Sequence, residues 1–243
     1  SFENIWVVNQ LYNGLVQMSD SLRVEASLAK SWNISNKGKT YTFYLHNDVF
    51  FADNKCFKEG KGRKVKAGDF VYSFNRLLDA TVSSATSLLS NVDTSVNKGF
   101  QATDDTTFVI HLVKPFTPFL RILTMKYFSV IPEEAVKHYG DDFRRNPVGT
   151  GPFQLKMWEE GSKMVMVKNE NYFEFYEGKR LPYLDAVSIS FIKDRETSFM
   201  DFLQGNLDMV SGIDAINTDE VLTSEGKLKD EYKGKFQMQN QPY

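Results

Sequence analysis

Between Asn146 and Phe153 the sequence reads Asn-Pro-Val-Gly-Thr-Gly-Pro-Phe, with two prolines and two glycines bracketing Thr150. No regular element can run through such a stretch. Proline fixes φ and lacks an N–H, while glycine opens the positive-φ region. Gln154-Leu155-Lys156-Met157-Trp158 follows with polar–apolar alternation. The segment therefore predicts a rigid turn feeding a strand. Because a strand and not a helix follows, these glycines have no helix N-terminus with which to cradle a phosphate.

The periodicities around this turn alternate between strand and helix. Ile5, Val8, Leu11, Tyr12 and Leu15 recur at helical spacing, and Asn13-Gly14 predicts the stop of an opening helix. Asn33-Ile34-Ser35 and Thr40 to Leu45 flank Asn36-Lys37-Gly38-Lys39, which predicts a hairpin with Tyr41, Phe43 and Leu45 on one face. Val49-Phe50-Phe51 predicts a further extended run, and the Lys- and Gly-rich stretch from Cys56 to Lys66 a solvated loop. From Ala67 the period changes: Phe70, Val71, Phe74, Leu77 and Leu78 share a helical face, with Asp69, Ser73 and Arg76 on another. Ser83 to Val96 is expected to be partly helical, and Phe108 to Leu112 a strand carrying His111 on its second face. Pro115 and Pro118 open a helix, and a short one from Glu133 stops at Gly140. A second hairpin is expected around 159–162, a strand around Val187, Ile189 and Phe191, and a helix capped by Asp194 and ended by Gly205. Leu207 to Val210 and Phe236 to Asn240 read as short extended runs. Short mixed strands with several helices give an α/β, more properly mixed α+β, class.

The chain has 243 residues, enough for one large or two small domains, and a formal net charge of −2. A nucleic-acid binder would normally show a basic surplus, so that partner class is not expected. One cysteine, Cys56, rules out an internal disulfide. His46, His111 and His138 are scattered without ligand spacing, so no metal and no cofactor are expected. No apolar run is long enough to span a bilayer. The chain opens on Ser1, directly into a helical pattern, as a trimmed domain would; the missing targeting segment is therefore uninformative.

Catalytic motifs fail one by one. There is no Walker loop, no Gly-x-Gly-x-x-Gly after a strand and no Gly-x-Ser-x-Gly elbow. The carboxylate pairs Glu133-Glu134, Asp141-Asp142 and Glu159-Glu160 are neighbours in sequence, which does not set two carboxyls across a cleft. The expectation is a protein that is not an enzyme.

The order of segments is more specific than any one of them. Leu28-Ala29-x-Ser31-Trp32-Asn33-Ile34-Ser35 is followed by Gly38-Lys39-Thr40-Tyr41-Thr42-Phe43-x-Leu45 and by Val49-Phe50-Phe51. Then come Val65-Lys66-Ala67-Gly68-Asp69-Phe70-Val71-Tyr72-Ser73-Phe74 and the Asn146 to Phe153 stretch. Last are Asn169-x-Asn171-Tyr172, Leu184-Asp185-x-Val187 and Gly205-Asn206-Leu207-Asp208. Over residues 10–210 this set resembles the family 5 extracellular solute-binding proteins of ABC transporters, the oligopeptide- and dipeptide-binding proteins. The chain departs from the pattern at Lys66, where Thr or Ser usually caps the helix, and at Asp53-Asn54 in place of Asp-Gly. It also departs at His46, often Arg, and in the longer loop 54–66. These departures leave the fold intact and the substrate class open.

The resemblance implies a class II periplasmic-binding-protein-like fold of two lobes closing on a solute. Family members are longer, so the chain is expected to be an N-terminal half. Residues 1–13 and 128–243 would be lobe one, still incomplete, and 14–127 the small domain particular to the family. It further implies a peptide ligand, ABC permease subunits as partners, a monomer, and an extracytoplasmic or periplasmic location. A lipid anchor would lie outside this chain. Val210, Ser211 and Gly212, beyond the Gly205 helix, are the expected ligand contacts, while Trp32 and Tyr172 are expected to be core markers. Two alternatives stand beside the peptide reading: another solute on the same scaffold (a nickel chelate, haem or an oligosaccharide), or the sensor domain of a transcription regulator.

Overall fold

A computed structural model of the protein describes residues 2–79, 85–95, 99–212 and 215–238. The chain divides into two compact units, Ser1–Trp158 with Met164–Ser188, and Glu159–Lys163 with Ile189–Tyr243.

The first unit opens with α1 (Phe2–Leu11), which ends earlier than Asn13-Gly14 suggests. Gly14 is instead drawn into extended pairing: it bridges Ser129, and its carbonyl accepts from Leu28 N at 3.1 Å. A two-stranded ladder follows, β1 (Val16–Met18) with β2 (Val24–Ala26). The expected hairpin forms from β3 (Ala29–Ser35) and β4 (Thr40–Leu45), with Ile34 opposite Tyr41 and Trp32 opposite Phe43. Its turn holds three successive positive φ values, 49° at Asn36, 53° at Lys37 and 83° at Gly38. Tyr41, Phe43 and Leu45 are buried together and Tyr44 on the other face is exposed, as strand alternation requires.

Beyond the hairpin, α2 (Ala67–Leu78) packs on the four-stranded antiparallel sheet that β5 (Phe100–Ala102) and β6 (Thr107–His111) complete, in the order β3-β4-β6-β5. Aromatic rings make this core. Phe74 meets Phe108, Phe100 and Phe128 edge-on at 5.3, 5.4 and 5.4 Å, and Phe70 meets Phe108 at 5.6 Å. Edge-to-face pairing adds to the burial each ring already supplies. Truncating such a phenylalanine to alanine costs about 3–5 kcal/mol.

Two expectations change here. Val49 to Phe51 does not form a strand; Phe50 makes a single bridge to Lys64 while Phe51 is fully buried and stacks on Phe57 at 5.9 Å. The loop Cys56 to Lys66 is accordingly not all solvated, for Phe57 and Val65 are buried. Part of the polar stripe of α2 is covered as well. Asp69 and Ser73 are both buried, and Ser73 Oγ donates to Asp69 O (2.7 Å) and accepts from Ile131 N (3.0 Å). Of the stretch expected to be partly helical, Thr86–Leu89 is a 3-10 turn, and 83–84 and 96 lie outside the described residues.

The rest of the unit follows the sequence closely. α3 (Phe119–Ile122) begins after Pro118, and α4 (Glu133–Tyr139) ends at Gly140, φ +51°. β7 (Phe153–Glu159) and β8 (Lys163–Lys168) form the second hairpin; β9 (Phe175–Tyr176) pairs with β10 (Lys179–Arg180). β11 (Ala186–Ser190) completes a sheet of order β11-β8-β7.

In the second unit Asp194 Oδ1 accepts from Thr197 N at 2.7 Å and caps α5 (Arg195–Leu203), which gives way at Gly205, φ +80°. Phe199 is buried, and Phe202 packs on Phe236 at 4.8 Å. α6 (Ala215–Val221) follows. Leu207 to Val210 is coil and not the extended run its residues suggest. Phe236 makes one bridge to Lys233, and 239–243 lie outside the described residues.

Candidate functional site

The Pro-Gly stretch is a seat for the end of α1. A Cβ on Gly149 would stand 2.1 Å from Leu11 O, and one on Gly151 2.4 Å from Gln10 O. Gly151 N donates to Leu11 O at 3.0 Å. The glycines are needed so that two backbones can touch; neither has positive φ. Thr150 between them is buried, and its Oγ1 donates to Asn13 Oδ1 at 2.9 Å. Asn169 closes the turn from the other side, donating from Nδ2 to Gly151 O (2.9 Å) and from its backbone to Pro152 O (2.8 Å). Asn13 also hydrogen-bonds Tyr172, whose hydroxyl donates to Glu174 Oε2 at 2.7 Å. Burial, and then the Glu174 charge, push the Tyr172 pKa far up, so this chain of groups stays protonated and neutral at its centre. Tyr172 is thus the core marker the sequence implied, and Trp32 is half-buried against the aromatic core built on Phe43, Phe74 and Phe108.

A second polar cluster centres on Arg63. Its Nη1 and Nη2 donate to Asp69 Oδ2 (2.9 Å) and Oδ1 (2.7 Å), and its Nε and Nη2 to Glu134 Oε1 (2.6 Å) and Oε2 (2.8 Å). The guanidinium also lies over the Phe51 ring, 5.3 Å from its centre. Burial alone would lower the Arg63 pKa; the hydrogen bonds to both carboxylates outweigh it and hold the charge firmly. Asp69 Oδ2 additionally accepts Lys66 N at 2.8 Å, supplying the cap that Lys66 cannot. This cluster ties the loop, α2 and α4 together. Its groups satisfy one another, which is the behaviour of a structural bolt.

Beside it a shallow cavity of about 170 Å³ lies among Asn54, Arg145–Pro147 and Leu155–Trp158. Asn54 is already engaged, its Oδ1 accepting from Cys56 N (3.0 Å) and Tyr139 Oη (2.8 Å). The Arg144 guanidinium sits 5.4 Å from the centre of the Trp158 ring.

The groups with reactive potential are dispersed. Burial and the nearby Glu134 charge raise the Cys56 thiol pKa, the opposite of an activated nucleophile. His46 stands 4.0 Å from Asp48, His138 packs edge-on against Tyr139 at 4.7 Å, and His111 is half-buried in β6. None of these contacts joins a histidine to a hydroxyl or a thiol. Among the described residues no three His, Cys, Asp or Glu side chains gather to hold a metal, and no helix is long and apolar enough to cross a membrane.

Val210, Ser211 and Gly212 lie together in coil of the second unit. Val210 is half-buried, Ser211 and Gly212 are exposed, and Gly212 has φ +78°. Sequence reasoning missed the Arg63 cluster and the Asn13–Thr150–Tyr172 network. The available signals were an arginine in a stretch read as solvated and an asparagine read only as a helix stop.

Comparison with known proteins gives this scaffold a family. The profile of bacterial extracellular solute-binding proteins, family 5 (middle region), matches residues 23–241. The chain is 32% identical over 214 residues to the dipeptide-binding protein of Escherichia coli, covering 78% of this chain and 36% of that one. It is 32% identical over 218 residues to heme-binding protein A of Haemophilus influenzae, covering 83% and 38%. Among solved structures, the periplasmic binding protein DppA of Helicobacter pylori, in complex with the peptide STSA, superposes with a TM-score of 0.74 at 26% identity. It covers 87% of this chain and 43% of that one. The chain therefore spans less than half the length of these relatives. The mixed α+β class and the periplasmic-binding-protein-like fold implied by the ordered motifs agree with these neighbours. With a profile matched along nearly all of its length, the chain belongs to the family 5 bacterial extracellular solute-binding proteins.

Proposed function

We propose that this chain is part of an extracytoplasmic receptor that captures peptides and delivers them to an ABC import permease. The observation that carries the reading is the family match over 23–241, together with a relative named for dipeptides at 32% identity. A relative of equal identity is named for heme, which favours one second reading: the same scaffold holding a different solute. In either case the protein acts by binding and not by catalysis, a reading supported by relatives that are named as binding proteins.

Within this reading residues 1–13 and 128–243 form part of lobe one, and 14–127 the small domain. Val210, Ser211 and Gly212 touch the ligand. Ser211 and Gly212 are exposed coil, and backbone pairing is how an extended peptide is held with little regard for its side chains. The receptor acts as a monomer with permease subunits as partners, and any lipid anchor lies outside this chain. A small-molecule site buries most of its ligand, so residues 1–243 alone should bind more weakly than the full-length protein.

Isothermal titration of the full-length protein against a di- to tetrapeptide library tests the proposal. Saturable binding of peptides, weakened in Ser211→Ala with the fold unchanged, is the expected result. Tight binding of heme or a metal chelate with no peptide bound would replace the peptide reading by the second one. Binding of no solute at all would remove both.

A further inference from the structure

The shallow cavity beside the Arg63 cluster is lined by residues of the first unit alone. Two of its side chains are fixed from behind. Asn54 Oδ1 accepts from Cys56 N at 3.0 Å and from Tyr139 Oη at 2.8 Å. Those two donors settle the orientation of the amide, and the N–H pair of Nδ2 is the end left for the cavity that Asn54 lines. Asn146 is fixed the other way round. Its Nδ2 donates to Asp142 O at 3.0 Å, which leaves Oδ1 as an acceptor on the same lining. Lys156 and Arg145 bring two positive charges to the wall, and none of the lining residues is acidic. Arg145 is engaged elsewhere as well, and its five N–H donors allow both. Two further cations stand close by: Arg144 over the Trp158 ring at 5.4 Å, and Lys55 over the Tyr139 ring at 5.3 Å.

Size and donor set narrow the ligand. At about 170 Å³ the cavity falls below the ~300 Å³ at which pockets for drug-sized ligands begin, so it holds one functional group and not a peptide. N–H donors and cations without a carboxylate among them favour an oxyanion. One acceptor set among those donors suits an oxyanion that still carries a proton. Inorganic phosphate keeps a P–OH at neutral pH. Sulfate has none, and a phosphate monoester, with a second pKa of about 6, has largely lost its last one.

We propose that this cavity binds inorganic phosphate, with Asn54 Nδ2, Lys156 and Arg145 donating to its oxygens and its hydroxyl donating to Asn146 Oδ1. The proposal does not rest on the solute-receptor reading.

Isothermal titration of the full-length protein with inorganic phosphate, sulfate and glycerol 3-phosphate, at constant ionic strength near neutral pH, tests it. Wild type should bind phosphate saturably and the other two several-fold more weakly. Asn54→Asp keeps an oxygen for Cys56 N and Tyr139 Oη but turns the N–H pair into a negative oxygen. It should fold and weaken phosphate by roughly tenfold or more, as a like charge in a contact does. Lys156→Gln, at an exposed position, should weaken phosphate roughly threefold, and Lys156→Arg should keep it. Absence of saturable phosphate binding, phosphate binding that survives Asn54→Asp, or sulfate bound as tightly as phosphate overturns the proposal. Should Asn54→Asp fail to fold by circular dichroism, Lys156→Gln decides, and unchanged affinity there overturns it. A parallel peptide titration keeps the two readings apart. Peptide binding without phosphate binding removes this inference alone, and phosphate binding without any captured solute removes the receptor reading alone.

Discussion

Replacing Arg63 by methionine isolates the ionic bolt of the first unit. Methionine retains much of the apolar stem and loses only the charged head, together with its contact over the Phe51 ring. Two pairings are lost, and they are unequal. Arg63 and Glu134 have side chains 33% and 39% exposed, so their contact is discounted to a surface value of about 0–1 kcal/mol. The Asp69 side chain is only 8% exposed, and stranding a buried charge costs about 3–5 kcal/mol. Asp69 keeps the Lys66 N–H at 2.8 Å, which places the loss at the lower end. The expected total is about 3 kcal/mol. With a urea m-value of about 2 kcal/mol/M, the unfolding midpoint falls by about 1.5 M. The double variant Arg63→Met/Asp69→Asn removes the stranded charge while its amide oxygen still caps α2, and should recover more than half of the loss. Equilibrium urea unfolding followed by circular dichroism measures both. A loss below about 1 kcal/mol, or a double variant no more stable than the single one, refutes the reasoning. The pH dependence has a definite sign. The Arg63 hydrogen bond holds the Glu134 pKa below its ordinary value. Its contribution is therefore complete above the unfolded value near about 4.3 and is lost as pH falls through the lower folded value. Arg63→Met should flatten that acid limb.

Gly149→Ala should destabilise by about 2–3 kcal/mol or more, since the new Cβ would overlap Leu11 O at 2.1 Å and backbone cannot rotate away; a thermal melt lowered by several degrees checks it. Thr150→Val leaves Asn13 Oδ1 without its buried donor and should cost about 1–3 kcal/mol in the same assay, while Thr150→Ser should cost much less. Burial raises the pKa of Tyr12 against a weaker backbone hydrogen bond to Val148, and Tyr172 is raised by burial and Glu174. Raised folded values mean stability is complete below the unfolded value near about 10 and is lost as pH rises beyond it. An ultraviolet titration should show both phenols ionising only with unfolding; ionisation in step with exposed tyrosines would contradict it.

Local features were readable from the chain and distant ones were not. The β3–β4 hairpin was legible because alternation at Tyr41, Phe43 and Leu45 and the Asn36 to Gly38 turn are properties of neighbouring residues. So were the end of α4 at Gly140 and the Asp194 cap. The burial of Asp69 and Ser73 was not legible from their helical face, because the partners that make it tolerable, Arg63, Glu134 and Ile131 N, come from elsewhere in the chain. Gly149 and Gly151 were read as conformational freedom when they are clearance for a helix end that arrives from the far N-terminus. The site is harder still. Ser211 and Gly212 are exposed coil that no periodicity in the sequence marks.

The seat that the Gly-Thr-Gly turn makes for α1 sets a timetable for biosynthesis. Thr150 and Asn13 are separated by 137 positions, so the end of α1 has no place to dock until most of the unit has emerged from the ribosome. At translation rates of about 5–20 residues per second, that interval is on the order of 10 s. Throughout it the apolar side of α1, with Leu11 and Tyr12, stands open to solvent and to other nascent chains. α1 is made before the rest of its unit and is among the last pieces of that unit to be locked in.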